Sequence, residues 1–193
     1  MTTTTTTTTT RIGDAQKRSL AMVTPRFTLA DVEVASDAWG CNCGPTALAT
    51  MCRLTLDEAH ALIEWFDAKR YTNPTMMRAA LTRLGRPWRE TPQATVVAGA
   101  MPSWGLCRIQ WQGPWCAPGV PPAVAYRHTH WIGVARTEGN IGVWDVNAMA
   151  MTQDWRGWVS IADWSSWVAP AITSEIKRAT GAWHVTHSLE VSP

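Results

Sequence analysis

One segment, WGCNCGPTALATM, places a thiol at the start of a predicted helix. Cys43 directly precedes Gly44 and Pro45, and proline suits the first helical turn because its missing N–H would be unpaired there. The helix dipole lowers the pKa of such a thiol from about 8.5 toward 3.5–7.5. Cys43 is therefore predicted to be a nucleophile, whereas Cys41, farther from the helix, is expected to keep a pKa near ~8.5. The alternative is a buried structural cysteine before an ordinary helix.

A second segment, YRHTHWIGVA, supplies a histidine on a predicted strand over residues 129–136. His130 is expected to face opposite to its two neighbours, since side chains alternate along a strand. A histidine on a sheet beside a thiol acts as its base, so His130 is paired with Cys43. His128 lies on the same strand face and competes for this role, and a structural, hydrogen-bonded histidine is the alternative.

A third segment, GVWDVNA, lies on the next predicted strand. Across a hairpin, Asp145 reaches the second imidazole nitrogen of His130 and fixes its tautomer. Asn147 shares the same strand face and is the competing residue. We favour Asp145 because a carboxylate also stabilises the imidazolium, whereas a neutral amide only positions it. The alternative is an Asp or Asn that closes a turn at the strand end.

The order Cys43-Gly44-Pro45, then His130-Trp131, then Asp145 resembles papain-like cysteine peptidases. It is most similar to the bacterial branch that includes the bacteriocin-leader-processing (double-glycine) peptidases, over roughly residues 35–150. The resemblance implies a papain-like α+β fold and a hydrolase that cleaves peptide or amide bonds through a thioester acyl-enzyme. It further implies the catalytic residues Cys43, His130 and Asp145, a peptide or protein substrate, no cofactor and a bacterial or phage genome.

The chain departs from this family at one position. The family usually has a glutamine about six residues before the nucleophile, which donates to the oxyanion, and Asp37 stands there instead. An ionised carboxylate has no proton to donate. Either Asn42, Asn147 or backbone N–H groups replace the glutamine, or the protein is a weakly active or inactive papain-like binding module.

Two other chemistries use the same residue types. Transglutaminase-like and other acyl transferases share a Cys-His-Asp site and differ only in the group that accepts the acyl chain. A zinc site would use Cys41, Cys43, His128 and His130, but their C-x-C and H-x-H spacings differ from those of structural zinc sites. We therefore predict no metal.

Patterns along the chain predict an α+β fold with N-terminal helices followed by an antiparallel sheet. Helices are predicted at 43–53, 56–69, 74–84 and 161–167. Strands are predicted at 105–111, 120–126, 129–136, 140–146 and 181–188, with TEGN as a hairpin turn. Thr55 and Glu58 form a predicted capping box, and Asn73 caps the helix that Pro74 opens.

Composition bounds the remaining questions. The 193 residues fit one domain at 27–193 preceded by a disordered threonine-rich tail at 1–26. A net charge of +2 argues against a nucleic-acid partner, and no apolar stretch reaches the ~18 residues of a membrane span. Five cysteines, an odd number, and no signal peptide predict a cytoplasmic protein without a disulfide framework. The 13 tryptophans form the core or line a groove, and nothing in the sequence sets the oligomeric state.

Overall fold

The computed structural model describes residues 23–91, 101–137, 139–152 and 156–192. Its helices are α1 (Leu29–Trp39), α2 (Cys43–Cys52), α3 (Leu56–Leu62), α4 (Phe66–Lys69), α5 (Pro74–Arg83), α6 (Pro122–Ala125), α7 (Val146–Met151), α8 (Ile161–Asp163) and α9 (Ala169–Ser174). Its strands are β1 (Trp88–Glu90), β2 (Trp104–Trp111), β3 (Thr129–Thr137), β4 (Asn140–Trp144), β5 (Trp158–Ser160) and β6 (Trp183–Val191). A 3₁₀ turn spans Pro114–Cys116, and a π-helical turn, Trp164–Val168, joins α8 to α9.

The strands form one antiparallel sheet in the order β1-β6-β2-β3-β4-β5 within the described residues. Helices α1–α5 precede this sheet along the chain, which confirms the predicted α+β arrangement. The TEGN hairpin is also confirmed, since Thr137 lies opposite Asn140. Strand β4 ends at Trp144, opposite Gly133, so β4 does not cover the edge of β3 before Gly133. That uncovered edge carries His130.

Both faces of the sheet are covered. Helices α1–α5 pack on the face that carries Leu106 and Trp131. The opposite face carries Ile109 and Ile132 and is covered by residues of α7, the π-helical turn and α9, among them Trp164. In the first layer, the sequence patterns predicted helices at the positions of α2 to α5 but not α1, and in the second layer they predicted only a short helix.

The starts of two helices, α3 and α5, were predicted correctly from their capping residues. Thr55 accepts from the backbone N–H of Glu58 and the Glu58 carboxylate accepts from that of Thr55, which forms the predicted capping box. Asn73 Oδ1 accepts from the N–H of Met76 at 2.9 Å, with Pro74 in the first turn. These bonds satisfy N–H groups that have no partner inside the helix.

The predicted helix over 56–69 is two helices. Trp65 adopts a left-handed conformation with φ of 66°, which separates α3 from α4. The break buries Ile63 and Phe66 together and leaves Trp65 exposed. Phe66 packs edge-on against Trp39 of α1, with ring centroids 6.0 Å apart.

The predicted strand over 120–126 is wrong, because this segment contains helix α6 instead. Pro121 and Pro122 have no N–H to donate to a strand ladder, and Pro122 suits the first turn of a helix. The predicted strand over 140–146 also ends early, at Trp144. Asp145 then caps α7 by accepting from the N–H of Asn147.

Two further boundaries differ from the predictions. The last strand, β6, covers Trp183–Val191 rather than 181–188, and the helix predicted over 161–167 continues through the π-helical turn to Ser174. Helix α1 was not predicted. Its start carries a capping box in which Thr28 and Asp31 bond each other's backbone N–H groups.

Most of the predicted tail, residues 1–22, lies outside the described residues. Packing begins before the predicted domain start at Phe27, because Val23 is buried and its carbonyl accepts from Trp158 Nε1 at 2.9 Å. Across the described ranges, the model contains no helix with both the length and the apolar character to cross a membrane.

Candidate active site

The first turn of α2 is held in place from two sides. Asn42, the residue before the helix, donates its side-chain amide to the carbonyl of Val32 on α1 at 3.2 Å. A Cβ on Gly44 would overlap the side chain of Thr72, so only glycine lets the helix approach this closely. Cys43, the first residue of α2, is therefore fixed in position.

Cys43 lies against the edge of β3 that β4 leaves uncovered. The backbone N–H of Trp131 lies beside the Cys43 sulfur. The indole of Trp131 is buried, and its Nε1 donates to the carbonyl of Thr72 at 2.8 Å. These contacts bring the start of α2 beside Trp131, the residue that follows His130, whereas the charge of His130 acts on Cys41.

His130 and Asp145 form a buried pair. His130 Nε2 and Asp145 Oδ2 are 3.0 Å apart, and Asp145 is wholly inaccessible to solvent. Trp164 Nε1 donates to the same carboxylate oxygen at 2.7 Å. The backbone and side-chain amides of Asn147 donate to the other oxygen at 2.8 and 3.0 Å. Asn147 therefore holds Asp145 and does not contact His130 itself.

The pair shifts both pKa values in favour of the charged forms. Burial alone would lower the pKa of His130, but the charge and hydrogen bond of Asp145 outweigh burial and raise it. Burial would likewise raise the pKa of Asp145, but His130 and the donors around the carboxylate lower it. Because Nε2 is engaged by Asp145, Nδ1 is the nitrogen left to exchange a proton with a thiol or a substrate.

Two thiols lie together at the helix start. The sulfur atoms of Cys41 and Cys43 are 3.9 Å apart. The bond from the Cys43 thiol, assisted by the Cys43 N–H and the charge of His130, lowers the pKa of Cys41 to about 6 despite its burial. The same contact, burial and the charge of Cys41 raise the pKa of Cys43. The contact thus favours a thiolate at one sulfur and a proton at the other, and either sulfur can be the donor.

This order of thiol pKa values is opposite to the prediction. The helix dipole, on which the prediction was based, favours a thiolate at Cys43. The contact between the two sulfurs is stronger, because the thiol of one residue donates directly to the thiolate of the other. Nevertheless, Cys43 remains the residue that contacts the edge of β3.

The predicted oxyanion donors do not face the thiols. Asp37 is exposed on α1, and the side-chain amide of Asn42 is used by Val32. Backbone N–H groups at the start of α2 are the remaining donors. The N–H of Cys43 contributes to the Cys41 sulfur and Pro45 has none, which leaves the N–H of Gly44.

His128 lies outside this arrangement. Its ring packs against Trp115 with centroids 4.2 Å apart, and burial together with Arg127 lowers its pKa. Among the residues that the model describes, no three His, Cys, Asp or Glu side chains form a group that could hold a metal ion. The arrangement needed for the zinc alternative is thus not present there.

Two tryptophans near His130 were not identified from the sequence. Trp111 stacks on the ring of His130 and on that of Trp164, with centroids 6.0 and 5.8 Å apart. They form an apolar wall around the His130–Asp145 pair. The tryptophan-rich composition was the only available signal. Within the described residues, six of the 13 tryptophans are buried: Trp111, Trp115, Trp131, Trp144, Trp158 and Trp164.

Comparisons of this chain with protein-family models, with curated proteins and with solved structures yield no significant match. Functional inference therefore depends on the geometry of Cys41, Cys43, His130 and Asp145.

Proposed function

We propose that the protein is a cysteine-dependent hydrolase that cleaves a peptide or amide bond through a thioester acyl-enzyme. The observation that carries this proposal is the wholly buried Asp145 bonded to His130 Nε2, beside the thiols at the start of α2. Burying two ionisable groups costs several kcal/mol unless they are paired. A buried His–Asp pair next to a thiol with a lowered pKa contains the groups that an acid–base relay for a nucleophile requires.

In this proposal Cys43 attacks the carbonyl carbon of the scissile bond and passes its proton to the Cys41 thiolate. The carbon–nitrogen bond then breaks, and His130 gives its proton to the leaving amine. Water attacks the thioester, His130 takes a proton from it, and the acid and the free thiol are released. Asp145 orients His130 and stabilises its charged form throughout.

Cys43 rather than Cys41 is proposed as the nucleophile because of its position. It begins α2, and its sulfur lies beside the backbone N–H of Trp131, the residue after His130. Cys41 holds the negative charge in the resting pair and is the proposed acceptor of the Cys43 proton. The order of helices and sheet is compatible with a papain-like fold, which we retain as part of the proposal.

A chemically activated ester tests the proposal without knowledge of the natural substrate. The unmodified protein should release p-nitrophenol from p-nitrophenyl acetate, and acid-quenched samples should contain an acetylated cysteine. Cys43→Ala and His130→Ala should abolish release, whereas Cys116→Ala, which changes an exposed thiol, should not. Release that survives Cys43→Ala would refute the assignment.

The same assay separates the alternatives. If added amines capture the acetyl group at the expense of water, the protein is an acyl transferase that uses the same site. If Cys43 is not acetylated faster than Cys116, the thiols are not activated and the non-catalytic binding module is the better account.

A further inference from the structure

A buried arginine lies next to the candidate active site without a carboxylate partner. Arg108 is in the middle of β2, opposite Trp131 on β3 and His187 on β6. Side chains of directly opposed residues share a face of the sheet. Arg108 therefore lies on the face that α2 covers, and only 7% of its surface is exposed.

The contacts of Arg108 leave much of its charge unmatched. Nη2 donates to Thr129 Oγ1 at 3.2 Å, and the guanidinium lies 5.5 Å from the ring centroid of Tyr126. Nε has no hydrogen-bond partner. No Asp or Glu of the described ranges lies within ion-pair distance of Arg108. Arginines this deeply buried are almost always paired.

Neighbouring side chains on the same face also carry unmatched polar atoms. Gln110 Oε1, two residues along β2, and His187 Nδ1, across from Arg108, are buried without partners. Buried polar atoms are nearly always hydrogen-bonded, so three such atoms on adjacent strand positions indicate a polar subsite rather than core. Among these groups, Arg108 carries a positive charge and so favours an anion, whereas burial and Arg108 lower the pKa of His187 and favour its neutral ring.

Arg108 is also tied to the reactive residues. Arg108 donates to Thr129, which directly precedes His130. Trp131, opposite Arg108 on β3, has its backbone N–H beside the Cys43 sulfur. A negative charge on the Cys43 sulfur, as in its thiolate form, acts to raise the pKa of Arg108, so the two side chains are near each other. The ring of Tyr126, which is about half exposed, lies against the guanidinium.

We propose that Arg108 is a specificity-determining residue that binds a carboxylate of the substrate beside the scissile bond. The inference rests on the proposed cysteine chemistry of this site and adds the class of substrate. A guanidinium offers parallel N–H donors that match the two oxygens of a carboxylate. The carboxylate belongs either to an acidic side chain or to a free C-terminus of the substrate.

Alkylation by iodoacetate and by its neutral twin iodoacetamide tests this without requiring turnover. Iodoacetate carries a carboxylate where iodoacetamide carries an amide. The exposed Cys116 is an internal reference in the same chain. Relative to Cys116, the ratio of iodoacetate to iodoacetamide labelling should be about tenfold higher at the Cys41–Cys43 pair, the effect of one hydrogen bond between charged groups.

Arg108→Gln should reduce that ratio to the value at Cys116, and Arg108→Lys should restore part of it. Arg83→Gln, which removes the same charge from the salt bridge with Glu64, should leave the ratio unchanged. An equal ratio at all cysteines of the unmodified protein would overturn the proposal, as would a preference that survives Arg108→Gln. Neither result depends on acyl-enzyme formation, so failure of the proposed hydrolase activity is recognised separately.

Peptidyl vinyl sulfones then distinguish the two sources of the carboxylate. One probe carries an aspartate side chain next to the electrophile and the other a free carboxylate beyond it, each compared with its amide analogue. Faster labelling of the unmodified protein by either acid identifies the source, provided that Arg108→Gln removes the difference. If neither acid labels faster than its amide, the proposed subsite is refuted.

Discussion

At the scale of single residues, Asp145 is the most tightly constrained group of the site. His130, Trp164 and Asn147 together donate to both of its oxygens, and none of its surface is exposed. A carboxylate without exposure keeps its charge only because these donors replace water. The tautomer and orientation of His130 therefore depend on Asp145, and the orientation of Asp145 depends on two residues that do not contact the thiols.

We expect Asp145→Asn to lower the turnover of the activated ester by at least ~100-fold, because the charge that supports the imidazolium is lost. The pKa of His130 should fall below 6.5, since burial then acts without its opposing charge. Asn147→Ala, which keeps the backbone donor, should have a much weaker effect on both quantities. NMR titration of the His130 ring and ester turnover measure these effects, and the reverse ranking would transfer the orienting role to Asn147.

The thiol pair makes a separate prediction about pH. Iodoacetamide labelling of Cys41 should rise through a pKa of about 6, so its thiolate is lost as pH falls below that value. Cys43→Ala removes the thiol that donates to Cys41 and should raise this pKa toward the usual thiol value. Cys41→Ala removes the neighbour that raises the pKa of Cys43 and should lower that pKa. Labelling profiles that are unchanged by both substitutions would show that the two thiols titrate independently.

At the scale of elements, the sequence predicted helix starts that depend on residues within one turn. The starts of α2, α3 and α5 could be predicted because proline and capping side chains act within one turn. The Thr28–Asp31 box of α1 carries the same kind of signal and was overlooked. The contribution of Trp164 could not be predicted, because the π-helical turn that holds it is positioned by packing against residues distant in the sequence.

The start of α2 offers a test of element packing. We expect Gly44→Ala to destabilise the protein by about 1–3 kcal/mol, because the added Cβ overlaps Thr72 and one of the two must move. Thr72→Gly should relieve the overlap in the double variant, so the cost of Gly44→Ala should be smaller in that background. Chemical denaturation of the four proteins measures this coupling, and additive effects would contradict the proposed contact.

At the scale of the whole molecule, the site forms where several distant parts of the chain meet. Helix α2, the uncovered edge of β3 and the cap of α7 contribute Cys43, His130 and Asp145. Their order along the chain suggested one site, but the sheet order β1-β6-β2 has no local signal. Arg108 acquires its buried position only when β6 pairs with β2, so its candidate role could not be recognised before the topology was known.

The N-terminal boundary is tested by two deletions. Removal of residues 1–20 should leave the free energy of unfolding unchanged, because the threonine tract has no apolar face to bury. Removal of residues 1–26 should cost about 2–4 kcal/mol, since Val23 is buried and its carbonyl accepts from Trp158. A similar loss from the shorter deletion would show that the threonine-rich segment packs on the domain.

The most direct test of the account is the location of the covalent intermediate. After brief reaction with p-nitrophenyl acetate and an acid quench, peptide mapping should locate the acetyl group on Cys43. The adduct should be absent from Cys43→Ala and should form at least ~100-fold more slowly in His130→Ala. Cys41→Ala should still form it at Cys43. An adduct on Cys41 that persists in Cys43→Ala, or one that forms equally fast without His130, would contradict the proposed mechanism.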